Sequence, residues 1–228
     1  MDLELHPDFT INKLAIGIEA APLIVIDNFV ANAESLVDIA SGKRYLEPFR
    51  FYPGLRAKAP LGYQRLIIEK LKPTLVECFG VDPLRMQFTM AHFSLVTKSA
   101  GELDPLQTVP HIDSPEPGLA TVHYLFKGDF GGTAFYRHRA TGFEVITEDR
   151  RVGFLSLLHQ QLAGPDAPPN EYINGDTPLF EQISSQKGVF NRMLIYRRNS
   201  LHSGAISKSF VPSSDPSHGR LSVNCFLS

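Results

Sequence analysis

The sequence has little cysteine. Cys78 and Cys225 are its two thiols, and they lie far apart in a chain of 228 residues. Such usage excludes a disulfide scaffold and fits a reducing compartment. Neither thiol has a second cysteine at ligand spacing, which argues against a cysteine-closed structural zinc site. Basic runs are absent too. Lys and Arg total 22 against 24 Asp and Glu, a net charge of −2, so nucleic acid is not an expected partner. No stretch is long and apolar enough for a membrane helix, and no membrane partner is expected. The N-terminal "MDLELHPDF" carries no positive segment ahead of an apolar run. Internal repeats and low-complexity tracts are also missing. These absences together point to a cytoplasmic globular protein.

The length suggests one domain over residues 1–228. Its two parts differ in texture. Residues 1–84 read as a helical N-terminal part. Within it "APLIVIDNFV" (21–30) reads as a buried strand, and "NAESLVDIAS" (32–41) has apolar residues at helical spacing. Residues 61–79 carry a stronger helical pattern. Pro73 inside it is expected to kink or divide the helix, and Gly80 to stop it. Residues 85–228 read as a β core. The strand candidates are 85–97, two strands in 120–139 joined at "KGDFGG", then 142–147, 191–198, 201–207 and 219–228. The Pro/Gly/Asn-rich segment 164–178 is expected to be a long loop that covers a binding site. Helices first and strands after predict an α+β, mainly β fold of jelly-roll or sandwich type.

The chemistry starts at "VPHIDSPEPG" (109–118), which sets His111 and Asp113 one residue apart at what reads as a strand end. Alternation puts both side chains on one side. Of the remaining histidines, His202 in "RRNSLHSGAI" is the best third ligand, because it opens a strand with small residues behind it. Two histidines and a carboxylate occupy one face of an octahedron and leave the other open, which suits non-haem Fe(II). Arg220 follows His202 by 18 residues, and Ser222 lies on the same strand face. A guanidinium beside a hydroxyl can clamp a carboxylate. Other candidates read as structural. His123 and the phenylalanines at 126, 130 and 135 are expected to pack, and His138 and His218 to face solvent. Asn191 and Arg192 are expected to tie a strand end to backbone carbonyls. Arg197 and Arg198 read as a charged strand edge, and His92 as a lesser candidate for the pocket wall.

The ordered set of His111-Ile112-Asp113, His202 and Arg220-Leu221-Ser222 resembles the 2-oxoglutarate/Fe(II)-dependent oxygenase superfamily. "VHYLFKGDFGGTAFY" and "GVFNRMLIYRRNSLHSG" are similar to stretches of its prolyl-hydroxylase-like branch. The resemblance spans roughly residues 86–228. It implies a double-stranded β-helix, a cupin-like jelly roll with the N-terminal helices packed against it. It implies Fe(II) on His111, Asp113 and His202, with no catalytic residue beyond the metal site. It further implies 2-oxoglutarate as cosubstrate on Arg220, with Ser222 and Tyr124 assisting, and it admits ascorbate. The implied activity is a dioxygenase that hydroxylates a small-molecule or peptidyl substrate while 2-oxoglutarate becomes succinate. Two other readings stay open: a non-catalytic cupin-like metal-binding or sensing protein, and a zinc or manganese cupin-type enzyme.

Overall fold

A computed structural model describes residues 3–47 and 52–228. Ten strands and three helices are described. Two strands, β1 (Thr10–Ile16) and β2 (Ala21–Asp27), precede helix α1 (Ala33–Ser41). Strand β3 (Gly54–Lys58), helix α2 (Leu61–Phe79) and strand β4 (Phe88–Val96) follow. Next come β5 (Leu119–Tyr124), β6 (Gly132–His138) and helix α3 (Glu148–Leu162). The chain closes with β7 (Phe180–Lys187), β8 (Met193–Arg197), β9 (His202–Ala205) and β10 (Arg220–Leu227). The fold is mainly β and its strand pairings are antiparallel. One sheet has the order β1-β2-β8-β5-β10-β4-β3, the other β7-β6-β9.

The sheets divide the apolar residues by strand alternation. Tyr124, Phe126, Leu194 and Tyr196 of the larger sheet's side meet Phe135 of the smaller one. Phe93, Leu95, Leu221 and Val223 project from the opposite face onto α1 and α2. On the far side of the small sheet, Ala134 and Tyr136 receive Phe154 and Leu158 of α3. No described helix is long and apolar enough to cross a membrane. Both cysteines are free.

Several expectations need correction. The N-terminal part is not simply helical, because residues 1–84 hold β1, β2 and β3 as well as two helices. Helix α2 runs undivided through Pro73. Proline in a helix interior costs about 3 kcal/mol. Here its ring is on the exposed side, while Tyr63, Leu66, Ile67, Leu71, Leu75 and Phe79 are buried. Each such side chain contributes about 1.5–3 kcal/mol, so the stripe outweighs the proline. Gly80 ends the helix in the left-handed region, as expected. The two strands flanking "KGDFGG" do not pair with each other: β5 lies in the large sheet and β6 in the small one, so the segment crosses between sheets.

Residues 142–147 form no strand beyond a single bridge between Val145 and Ser200. Glu144 is instead buried, and its carboxylate accepts the backbone N–H groups of Ile18 (3.0 Å) and Glu19 (3.0 Å) at the β1–β2 turn. Arg137 Nε donates to the same carboxylate at 2.8 Å. Gly17, at φ 68°, makes this possible, because a Cβ there would collide with the Glu144 carboxylate. His138 is buried rather than solvent-facing. Its Nδ1 meets Thr141 Oγ1 at 2.9 Å and its Nε2 meets Gln161 Oε1 at 2.7 Å. Arg197 and Arg198 do not mark a sheet edge, since β8 runs between β2 and β5.

Candidate metal centre

Backbone pairing builds the site. His111 and His202 form an antiparallel bridge and exchange two N–H···O bonds of 2.9 Å each. Directly opposed residues present their side chains on one face, and the two imidazole centroids lie 4.5 Å apart. Asp113 lies two residues on, so it faces the same way. Its N–H donates to Arg198 O at 2.8 Å, which fixes the turn. Ligand atoms of His111, Asp113 and His202 all lie within 4.8 Å of one another. His202 Nε2 is 3.6 Å from Asp113 Oδ2.

Three observations suit a cation here. His202 Nδ1 lies 2.9 Å from Ser200 O. A carbonyl only accepts, so Nδ1 carries the proton and Nε2 offers a lone pair to the site. Asp113 Oδ2 is buried without a hydrogen-bond partner among the described residues. Burial raises the Asp113 carboxyl, against the downward pull of His202, Arg56 and Arg198. A bound cation would relieve that cost. Loss of water within the site, His202 and Arg56 lower the His111 pKa, which favours the neutral ring that binds metal, although the residue stays open to the cavity.

The three candidate ligands line a cavity of about 510 Å³ between the sheets. Arg220 and Ser222 line it too. Arg220 is 5% exposed, and two backbone carbonyls fix its guanidinium: Nε donates to Phe130 O (3.0 Å) and Nη2 to Gly132 O (2.7 Å). Its carbon lies 5.4 Å from the Phe126 ring centroid and 6.0 Å from that of Tyr124. Those rings hold the charge in a fixed place. Ser222 Oγ donates to Asn224 Oδ1 at 2.7 Å.

Tyr124 is the exception among the expected site residues. It is fully buried behind the cavity wall, and its hydroxyl lies 2.6 Å from Thr133 Oγ1. Thr133 itself lines the cavity. Any influence of Tyr124 on a ligand therefore passes through Thr133 or Arg220. The remaining candidates divide. His123 packs, stacked on Tyr63 and bonded to Asn191 Oδ1 at 3.1 Å. Asn191 donates to Val30 O, whereas Arg192 pairs mainly with the Asp27 carboxylate. Phe126 and Phe135 are core, and Phe130 packs against it. His92 is outside the cavity wall, and His218 is exposed beside Asp215.

Among the cavity residues that sequence reasoning missed are Tyr52 and Arg56. Their segment is short and polar, and strand alternation in "GLRAK" was the one available signal. The expected loop is present, since residues 163–179 form neither helix nor strand. It is tied down at several points, among them an ion pair of Glu171 with Lys208 at 2.8 Å and one of Asp176 with Arg139 at 2.8 Å. Asn170 donates to Gly101 O (3.2 Å), Tyr172 to Lys98 O (2.8 Å) and Asn174 to Ile206 O (3.5 Å). Tyr172 also lines the cavity.

The chain belongs to DUF6445, a family of unknown function, matched over residues 7–227. No curated protein matches it by sequence. Among solved structures it is similar to HygX from Streptomyces hygroscopicus with nickel and 2-oxoglutarate bound. The identity is 12%, the likeness covers 92% of this chain and 84% of HygX, and the TM-score is 0.51. EvdO2 from Micromonospora carbonacea var. aurantiaca is 12% identical over 96% of this chain and 86% of its own, at a TM-score of 0.43. At such identity the likeness to HygX is one of fold.

Proposed function

We propose that this member of DUF6445 is an Fe(II)- and 2-oxoglutarate-dependent dioxygenase built on a double-stranded β-helix. One observation carries the reading: a two-histidine, one-carboxylate face opens into the same cavity as a buried arginine with free donors. The likeness of fold to HygX, whose structure holds nickel and 2-oxoglutarate, supports it.

In this reading His111, Asp113 and His202 hold the metal and Arg220 takes the distal carboxylate of 2-oxoglutarate. When bound, Fe(II) and 2-oxoglutarate supply the oxidising power to place one atom of dioxygen on a C–H bond, the other going into succinate as carbon dioxide leaves. The chain does the positioning. Ser200 O sets the His202 tautomer. Phe130 O and Gly132 O aim the guanidinium, whose remaining N–H groups are left for a ligand. The apolar wall formed by Phe226, Tyr196 and Leu158 limits water around the reacting centre. The substrate is a small molecule or a peptidyl side chain.

The test is succinate release from 2-oxoglutarate under air, with Fe(II) and ascorbate supplied. The expected outcome is Fe(II)-dependent release that is lost in Asp113→Ala. A purified protein that holds zinc or manganese and shows no affinity for 2-oxoglutarate would instead favour a cupin-type enzyme or metal sensor.

A further inference from the structure

The cavity holds more positive charge than the metal chemistry uses. Its described lining residues include three guanidinium groups, of Arg56, Arg151 and Arg220, and one carboxylate, of Asp113. A divalent metal and a 2-oxoglutarate dianion cancel each other. Arg220 is then engaged with the distal carboxylate and Asp113 with the metal. Arg56 and Arg151 are left over. Arg151 is exposed and has Glu148 at 3.6 Å. Among the described residues Arg56 forms no ion pair, and Asp113, the one acid within its electrostatic reach, is engaged with the metal in this reading.

Arg56 is also poorly satisfied. Its Nη1 reaches only the Met90 sulfur, at 3.5 Å. Its Nε is buried with no hydrogen-bond partner among the described residues, whereas the Tyr52 hydroxyl lies beside Ser94 and Ser222. The guanidinium carbon stands 4.5 Å over the Tyr52 ring centroid. Register explains why Arg56 meets the site. Arg56 is paired with Ser94, and Ser94 with Ser222, so the three form one row on the cavity side of the sheet. Strand β3 is the sheet's outer strand, on the side where Asp113 lies within electrostatic reach of Arg56. Burying donors without acceptors is costly unless a ligand supplies them.

We propose that Arg56, stacked on Tyr52, is the specificity-determining residue for a substrate that carries a carboxylate or similar anionic group, which it holds beside the metal centre. This rests on the dioxygenase reading above and adds the substrate class. A neutral substrate would leave Arg56 uncompensated in a site that has no other acid to meet it.

The probes are 4-fluorobenzoate and its neutral counterpart 4-fluorobenzamide. Each is titrated by fluorine NMR into the Zn(II)-loaded, 2-oxoglutarate-saturated protein. The carboxylate should bind and the amide should not. Arg56→Gln should weaken the carboxylate by about ten- to a hundredfold, the range for hydrogen bonds to a charged group. Arg56→Lys should retain part of the affinity, since it keeps the charge but not the fork. Affinity for 2-oxoglutarate in Arg56→Gln should stay within about twofold of the parent, which also shows that the variant is folded. Equal binding of both probes, no binding of the carboxylate, or an unchanged carboxylate affinity in Arg56→Gln overturns the proposal. So does a loss of 2-oxoglutarate affinity in that variant with its fold intact by circular dichroism, because Arg56 would then serve the cosubstrate. Should the parent protein bind no 2-oxoglutarate, the dioxygenase reading fails by itself. The same probes on the Zn(II)-loaded protein then decide the role of Arg56 alone.

Discussion

His202 Nε2 and Asp113 Oδ2 face each other at 3.6 Å, and that carboxylate oxygen has no hydrogen-bond partner among the described residues. The pair is held apart at ligand distance by main-chain bonds rather than by its own attraction. His111 and His202 are tied by their bridge, and Asp113 by Arg198 O.

The first prediction follows from that pair. The protein binds one Fe(II), and His111→Ala, Asp113→Ala and His202→Ala each remove it, as read by elemental analysis after anaerobic loading. Metal at a hundred times its dissociation constant should also stabilise the parent by about 2.7 kcal/mol. Thermal unfolding with and without metal measures this. Equal iron occupancy in the parent and the triple variant rules the site out.

In the proposed function, Arg220 separates cosubstrate binding from metal binding. Losing one partner of a buried charge pair costs about 3–5 kcal/mol, with water access lowering the figure. At roughly 1.4 kcal/mol per tenfold, Arg220→Ala should weaken 2-oxoglutarate by about a hundredfold or more. Fe(II) affinity should hardly change, and Arg220→Lys should recover part of the loss. Calorimetric titration of the metal-loaded proteins gives the answer. An unchanged 2-oxoglutarate affinity in Arg220→Ala contradicts the assignment.

Glu144 predicts a pH dependence of stability away from the site. Burial pushes its carboxyl up, but the Ile18 and Glu19 amides and Arg137 outweigh this and hold it below its ordinary value of 4.5. A depressed folded pKa gives stability that is fully present above the unfolded pKa and lost as pH falls through the folded one. Urea unfolding should therefore show stability declining below about pH 4.5. Glu144→Gln should be weaker near neutrality by about 3 kcal/mol, the low end for a broken buried pair, since Arg137 keeps Glu181 at 2.7 Å. Its profile in acid should be flatter. A parallel profile in the variant would remove Glu144 from the account.

The loop at 164–178 should exchange its amide hydrogens faster than β5, β8 and β10, because few of its N–H groups have ladder partners. Filling the cavity should slow exchange around Tyr172, which lines it. Hydrogen exchange with mass detection reads both. Exchange as slow as in the central strands, with and without ligand, would mark the loop as fixed structure.

Much of the interior was legible in the sequence. The central strands β2, β4, β5, β8 and β10 announce themselves through runs of β-branched, aromatic and aliphatic residues. The candidate ligands His111, Asp113 and His202, with Arg220 and Ser222, stand out by residue type and order, and the structure brings all five to one cavity. The strands that escaped notice, β1, β3 and β7, are all outermost in their sheets. An outer strand pairs on one side and faces solvent, so its sequence is polar and gives little periodic signal. Helix α3 was missed for a related reason. It buries only Phe154 and Leu158, and Gly153 interrupts its propensity.

By itself the sequence determined which residues are candidates for the site and that the second half is built largely of strands, because residue type and alternation are local properties. Only the tertiary structure decided which strands pair across long stretches of chain. That pairing withdrew Tyr124 behind Thr133, buried Glu144 and His138, and carried Arg56 from the N-terminal part into the cavity. These outcomes depend on register between distant segments, and register is set by the packing of the whole core rather than by any one stretch of sequence.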